Sequence, residues 1–147
     1  MNSRIATIED IEYVATKMRT EDVGEILSIA NVNVLVALKE SFYASCECIV
    51  GMDDGKVFCV VGLIPDSTGV TLWMLFTNEV TSLPISFFKL SKKLVKQWLD
   101  KYGYLHNYTQ KGNIFILKWL KLLDFNIEPV SLLGIKQIEV HNFWKRK

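Results

Sequence analysis

The stretch from Tyr104 to Phe125 most constrains what this chain can fold into. Tyr104 to Thr109 is rich in β-formers and short enough to be a buried strand. Gly112 breaks the pattern, and Asn113 suits a helix N-cap because its side chain can accept from an otherwise unpaired amide. Ile114, Leu117, Leu120 or Lys121, and Phe125 then recur at helical spacing, with Lys118 and Lys121 outward. The expectation is strand, short loop and N-capped helix, closing at Asp124-Phe125.

That unit resembles the fourth conserved segment of the GNAT (Gcn5-related N-acetyltransferase) family, whose pattern is roughly Asn-x-x-Ala-x-x-Leu-Tyr-x-Lys-x-Gly-Phe. Asn113 falls on the leading Asn and Phe125 on the closing Phe. Ile116 stands where Ala is usual, Asp124 where Gly is usual, and Leu120 where the family often carries its Tyr general acid. The resemblance implies a GNAT-like fold, and its departures argue against ordinary catalysis.

Composition bounds the rest. A chain of 147 residues has the size of one domain with one sizeable core. With half its residues hydrophobic and 12% aromatic, disorder is excluded. The net charge of +1 provides no global field to steer nucleic acid, so no nucleic-acid partner is expected. The three cysteines lie in no zinc-like spacing, which predicts reduced thiols and no metal site. The opening Met-Asn-Ser-Arg leads into no apolar core of signal length, and no run approaches a membrane span. The expected location is the cytoplasm.

Taken in order, residues 4–8 read as a short strand. Thr7 with Asp10 makes a capping box for a helix over about 9–18, with Ile11, Val14, Ala15 and Met18 inward. Thr20-Glu21-Asp22 supplies a cap and acids for a helix from Val23 to Ala30. Asn33 to Ser45 reads as a further helix with Val34, Leu35, Leu38 and Phe42 on one face. Cys46 to Met52, Lys56 to Ile64 and Val70 to Thr77 form a meander, turning at Asp53-Asp54-Gly55 and at Pro65 to Gly69. A long helix starts near Pro84 and buries Phe87, Phe88, Leu90, Leu94, Val95, Trp98 and Leu99. After the Tyr104–Phe125 unit, Phe125 to Val130 and Ile135 to Phe143 read as a closing hairpin, with Trp144 to Lys147 as a basic tail. The order is that of the GNAT fold throughout: one α/β domain over 1–147, with a mixed, mostly antiparallel sheet and helices on both faces.

In GNAT enzymes the pyrophosphate of acetyl-CoA sits on backbone amides where the helix after the fourth strand begins, with the pattern Arg/Gln-x-x-Gly-x-Gly/Ala. Small residues let the donors approach, and the helix dipole adds attraction. Here that segment is Asn78 to Ser86, without a glycine. Pro84 removes one donor, Leu83 and Ile85 add bulk, and Glu79 adds an anion. The expectation is no cofactor. Were acetyl-CoA bound, the resemblance implies Phe76, Thr77, Ser82, Ile85, Ser86 and Asn113 as its contacts. Catalysis needs a base and a proton donor, for which Glu79 and Tyr108, or Tyr104, are the candidates. Their plainer readings are a solvated loop carboxylate and ordinary strand aromatics. His106 and His141 stand alone in strand patterns, without triad spacing. The lysines of the long helix read as a solvated face, or as a surface for an acidic partner or a CoA 3′-phosphate. Trp73, Trp98 and Trp119 fall on apolar stripes and read as core, with Trp144 a docking anchor.

A narrower resemblance rests on Cys46-Glu47-Cys48, Leu72-Trp73-Met74-Leu75-Phe76-Thr77, the basic helix from Ser86 to Leu99, Asn107-Tyr108, Gly112-Asn113 and Leu120. Together they are similar to head-associated internal virion proteins of short-tailed, Autographiviridae-type phages. The implied function is that of a catalytically degenerate GNAT-like protein. It binds other phage or host proteins during head assembly or in the internal core, in the host cytoplasm or the virion. The groove near Phe76 to Glu79 with Asn107 and Asn113, and the basic tail, are the surfaces implied. The alternatives are an acetyl-CoA-dependent N-acetyltransferase with a divergent cofactor loop, and a protein that redirects a host factor.

Overall fold

The computed structural model describes residues 2–20, 22–24, 26, 33–79 and 85–147. Its elements are β1 (Asn2–Ile5), α1 (Ile8–Lys17), α2 (Val34–Ala44), β2 (Glu47–Asp53), β3 (Lys56–Pro65), β4 (Val70–Phe76), α3 (Ile85–Tyr102), β5 (Tyr104–Gln110), α4 (Ile114–Leu122), β6 (Asn126–Leu133) and β7 (Ile138–Arg146). The seven strands form one sheet in the order β1-β2-β3-β4-β5-β7-β6. The β1–β2, β2–β3, β5–β7 and β6–β7 pairs are antiparallel. β4 and β5 pair in parallel, through Val70 with Leu105 and Thr71 with His106. This mixed α/β architecture is the one implied by the sequence resemblance.

Two compact units share the chain, one of Met1–Pro65 with Leu72–Ser82, the other of Asp66–Thr71 with Leu83–Lys147. The first is built on α1, where the expected capping box is present. Thr7 Oγ1 accepts from the Asp10 amide at 3.3 Å, and the Thr7 amide donates to Asp10 Oδ2 at 2.8 Å. That cap ends the strand earlier than the sequence suggests, at Ile5 rather than residue 8, because Thr7 already turns the chain into the helix. Ile11, Val14 and Met18 are buried with Leu38, Val50 and Val60. At the β2–β3 turn Asp54 and Gly55 both have positive φ, 51° and 76°, the geometry for which Asp-Gly is selected. Trp73 is half-buried rather than core. Its indole lies where a Cβ on Gly62 would stand, and its Nε1 donates to Ser45 Oγ at 2.9 Å. Of the helix expected over Val23 to Ala30, Val23, Gly24 and Ile26 are helical, as is Asp22 before them, and Glu25 and 27–30 lie outside the described residues.

In the second unit α3 buries Phe87, Ser91, Val95, Trp98 and Leu99, and Lys89, Lys92, Lys93, Lys96 and Lys101 are exposed, as the periodicity predicts for these residues except Ser91, whereas Phe88, Leu90 and Leu94, expected to be buried, are half-buried. The stripe on α4 is rotated from its expected phase. Ile116, Trp119 and Leu120 are buried, and Ile114 is 66% exposed. Trp119 fixes that rotation. Its ring stacks on Phe87 and its Nε1 donates to Ser91 Oγ at 3.2 Å. Asn113 is the N-cap residue of α4 but makes no side-chain capping bond to it. In the closing hairpin Gly134 (φ 72°) and Gln137 (φ 54°) bracket the turn, so Ile135 is fully exposed loop rather than strand. The expected basic tail is strand as well. Trp144, Lys145 and Arg146 pair with His106, Leu105 and Tyr104. Trp144 is correspondingly half-buried, with Nε1 donating to Glu128 Oε1 at 2.8 Å, and is no free anchor.

The Arg4 guanidinium donates twice to Asp10, at 2.6 and 2.9 Å. Hydrogen bonding from Arg4, then from Thr7, holds the Asp10 carboxyl below the ordinary carboxylate range despite its burial. A depressed folded value contributes stability above the unfolded value, about pH 4, that is lost as pH falls through the lower folded value. Asp10→Asn should cost about 1–2 kcal/mol at pH 7, in the range of a lost cap, and the difference from wild type should shrink below pH 3 or so. Urea unfolding at both pH values checks this; a difference independent of pH would sink it.

Candidate functional site

The candidate site begins at the end of β4. The Thr77 amide donates to the Phe58 carbonyl at 2.9 Å, so Thr77 points its backbone toward β3. By strand alternation the backbone of Phe76 faces the opposite edge. Both of its polar groups are taken there by the segment after α1. The Phe76 amide donates to Asp22 Oδ2 at 3.2 Å, and its carbonyl accepts from the Arg19 amide at 3.2 Å. One residue on, the Asn78 amide donates to the Lys17 carbonyl at 2.7 Å, and Met18 bridges antiparallel to Thr77. Residues 17–19 thus act as a short added strand on that edge.

The ion pair that pins this segment has a buried carboxylate and a half-buried guanidinium. Asp22 is 1% exposed, and its carboxylate meets Arg19 through Nη2 at 3.0 Å and Nε at 3.2 Å. The Arg19 guanidinium also lies over the Phe76 ring, 5.6 Å from its centroid. A carboxylate at this depth requires such partners, since an unpaired buried charge is strongly unfavourable. Sequence reading places Asp22 among acids at a helix start. The structure keeps it there and also makes it the acceptor that pairs the Phe76 amide. The Arg-x-x-Asp spacing was the available signal, but an (i, i+3) pair is common on solvated helices, and its burial is a tertiary property.

The residues proposed for the site divide between the two units. Phe76 and Thr77 are fully buried, and the Thr77 hydroxyl lies 3.4 Å from the Val57 and Phe58 carbonyls. Glu79 is exposed, with its amide donating to Thr77 Oγ1 at 3.3 Å. In the second unit Ile85 (73% exposed) and Ser86 open α3, Tyr108 is half-buried, and its amide donates to Asn107 Oδ1 at 2.8 Å. Asn113 is buried, and Leu120, at the position of the family's tyrosine, is wholly so. Ser82 and the rest of 80–84, including Pro84 and Leu83, lie outside the described residues.

His106 is not isolated. Its Nε2 is 2.6 Å from Asp66 Oδ2, and its ring stacks on Tyr104. Asp66 also accepts from the Thr68 and Gly69 amides and from the Thr68 and Thr71 hydroxyls. The Thr68 hydroxyl, with His106 and Thr71, holds its carboxyl well below the ordinary range. The group is spent on fastening the β3–β4 turn to β5. His141 Nδ1 is likewise engaged, 2.9 Å from the Glu128 carbonyl. Burial pushes the Cys48 and Cys59 thiols up to about 12, so neither is a nucleophile at neutral pH. Among the described residues no His, Cys, Asp and Glu side chains gather as a metal site, and no helix is long and apolar enough to cross a membrane.

No family model matches the chain, and no curated protein does. Solved structures do. Ribosomal-protein-alanine N-acetyltransferase from Brucella melitensis superimposes with a TM-score of 0.74 at 16% identity, over 100% of both chains. Spermidine N-acetyltransferase from Vibrio cholerae, in complex with CoA and spermine, gives 0.70 at 10% identity over 99% of this chain and 94% of its own. A GNAT-family acetyltransferase from Bacillus anthracis gives 0.71 at 10% identity over 98% and 93%. The chain therefore has the fold of the GNAT N-acetyltransferases; at these identities the likeness speaks to fold alone.

Asp22→Asn should destabilise the protein by about 3–5 kcal/mol, the cost of breaking an ion pair whose carboxylate is buried. Hydrogen exchange at the Phe76 amide should accelerate with it. Denaturant unfolding and amide exchange read both; a loss under about 1 kcal/mol, typical of surface pairs, would mean that this ion pair does not hold the edge.

Proposed function

We propose that this chain is a catalytically degenerate GNAT-fold protein that acts by binding another protein, in head assembly or the internal core of a short-tailed phage. The observation that carries the degenerate reading is the closed end of β4. The resemblance puts acetyl-CoA against Phe76 and Thr77, yet both backbone groups of Phe76 are already satisfied by Arg19 and Asp22. Leu120 adds to it, since an aliphatic side chain with no exposure offers no proton to a leaving thiolate. The phage setting, in host cytoplasm or virion, rests on the sequence resemblance alone.

A second reading, a working acetyl-CoA-dependent N-acetyltransferase, is favoured by the comparisons. Solved structures of the same fold are named for acetyl transfer, and one holds CoA. In that reading Glu79 is the base and Tyr108 the proton donor. Backbone amides around Ser82, Ile85 and Ser86 would meet the phosphates, because an amide needs no particular side chain. Asn113 would lie at the cofactor.

Calorimetric titration with acetyl-CoA separates the two. The expected result is no saturable binding at millimolar ligand. Saturation at micromolar levels, weakened at most slightly in Glu79→Gln, would overturn the degenerate reading and turn the search to an acceptor amine.

A further inference from the structure

Wholly within the second unit, a cavity of about 350 Å³ is lined by the second half of α3, the end of α4 and the last three residues of the chain. Its floor is aliphatic. Val95, Leu99 and Leu123 are buried there, and Leu122 is 54% exposed. Its rim is cationic, with Lys92 and Lys96 from α3 and Lys145, Arg146 and Lys147 from the end of β7, against two carboxylates, Asp100 and Asp124.

The cations are not equivalent. Lys145 Nζ donates to the Leu123 carbonyl at 2.7 Å, which satisfies the end of α4. Lys147 Nζ lies 3.7 Å from Asp100, and Arg146 stacks over Tyr104 at 4.6 Å. Lys92 and Lys96 are exposed, and no ion pair engages either among the described residues. They stand one turn apart on one helix face, where like charges cost a helix a few tenths of a kcal/mol. In a chain whose net charge is only +1, this rim concentrates a positive excess around an uncovered leucine.

We propose that this cavity docks an acidic segment of a partner protein, one that places a bulky aliphatic side chain between carboxylates. The aliphatic floor would take the apolar side chain, and the Lys92–Lys96 pair would meet the carboxylates. Nucleic acid fits less well, because single strands are held by aromatic stacking and this floor carries no aromatic ring. The inference does not depend on whether the chain binds acetyl-CoA, since Leu122 and the leucine-against-serine comparison belong to none of the contacts expected for the cofactor, so the two titrations fail separately.

The test is fluorescence anisotropy with a labelled heptapeptide, Glu-Glu-Leu-Glu-Glu-Leu-Glu, and the same peptide with both leucines replaced by serine. Saturable binding of the leucine peptide that weakens with salt is expected. Lys92→Glu with Lys96→Glu should weaken it about tenfold or more, and Leu122→Ser or the serine peptide about fivefold. All three side chains are exposed, so melting temperatures should move little, and chemical-shift mapping on the wild type gives a second measure at Leu122 and Lys96. No saturation by about 1 mM peptide, equal binding of the serine peptide, or shifts confined to another face would each overturn the proposal. So would tighter binding of an oligothymidylate or of phosphatidylserine vesicles.

Discussion

One buried carboxylate organises the end of β4. Asp22 cannot lie at 1% exposure without partners, and it finds them in Arg19 and in the Phe76 amide. Satisfying that charge draws the segment after α1 onto β4. The Phe76 carbonyl and the Asn78 amide are then paired by the same segment. In energetic terms a desolvation demand of a few kcal/mol is met only by sealing a strand edge. The Phe76 backbone on that edge is therefore paired within the fold.

The second unit solves a comparable problem with one exposed side chain. The parallel contact of β4 with β5 spans two residue pairs, too few to fix a register by themselves. Asp66 supplies the rest, gathering the amides of Thr68 and Gly69, two hydroxyls and His106. Gly69 is required there because a Cβ would run into the Tyr104 backbone. The strand that the sequence presents as a basic tail completes the arrangement, pairing with β5 and leaving its cations beside the aliphatic end of α4. On α4 itself Leu120 is wholly buried and serves the packing of that unit.

Much of this was legible beforehand because local rules agreed with the fold. The Thr7–Asp10 box, the Asp54-Gly55 turn and the α3 stripe are local features, and each has the geometry that its residues demand. Where reading failed, a distant partner had decided. The α4 stripe is rotated because Trp119 seats against Phe87 and Ser91. His106 gains a carboxylate forty positions away in the chain. Trp144 and Arg146 read as a tail because alternation is weak there, and only the β5 ladder makes them strand.

The sequence by itself determined the order of helices and strands, the caps and turns between them and which helix face is charged, since all follow from backbone preference and hydrophobic period over a few residues. Tertiary structure alone decided that Asp22 is buried, that the Phe76 backbone is paired by the segment after α1 and that lysines from two elements border one cavity. Those outcomes depend on which groups meet across long stretches of chain. Burial and pairing, unlike periodicity, leave no local mark on the residues that undergo them.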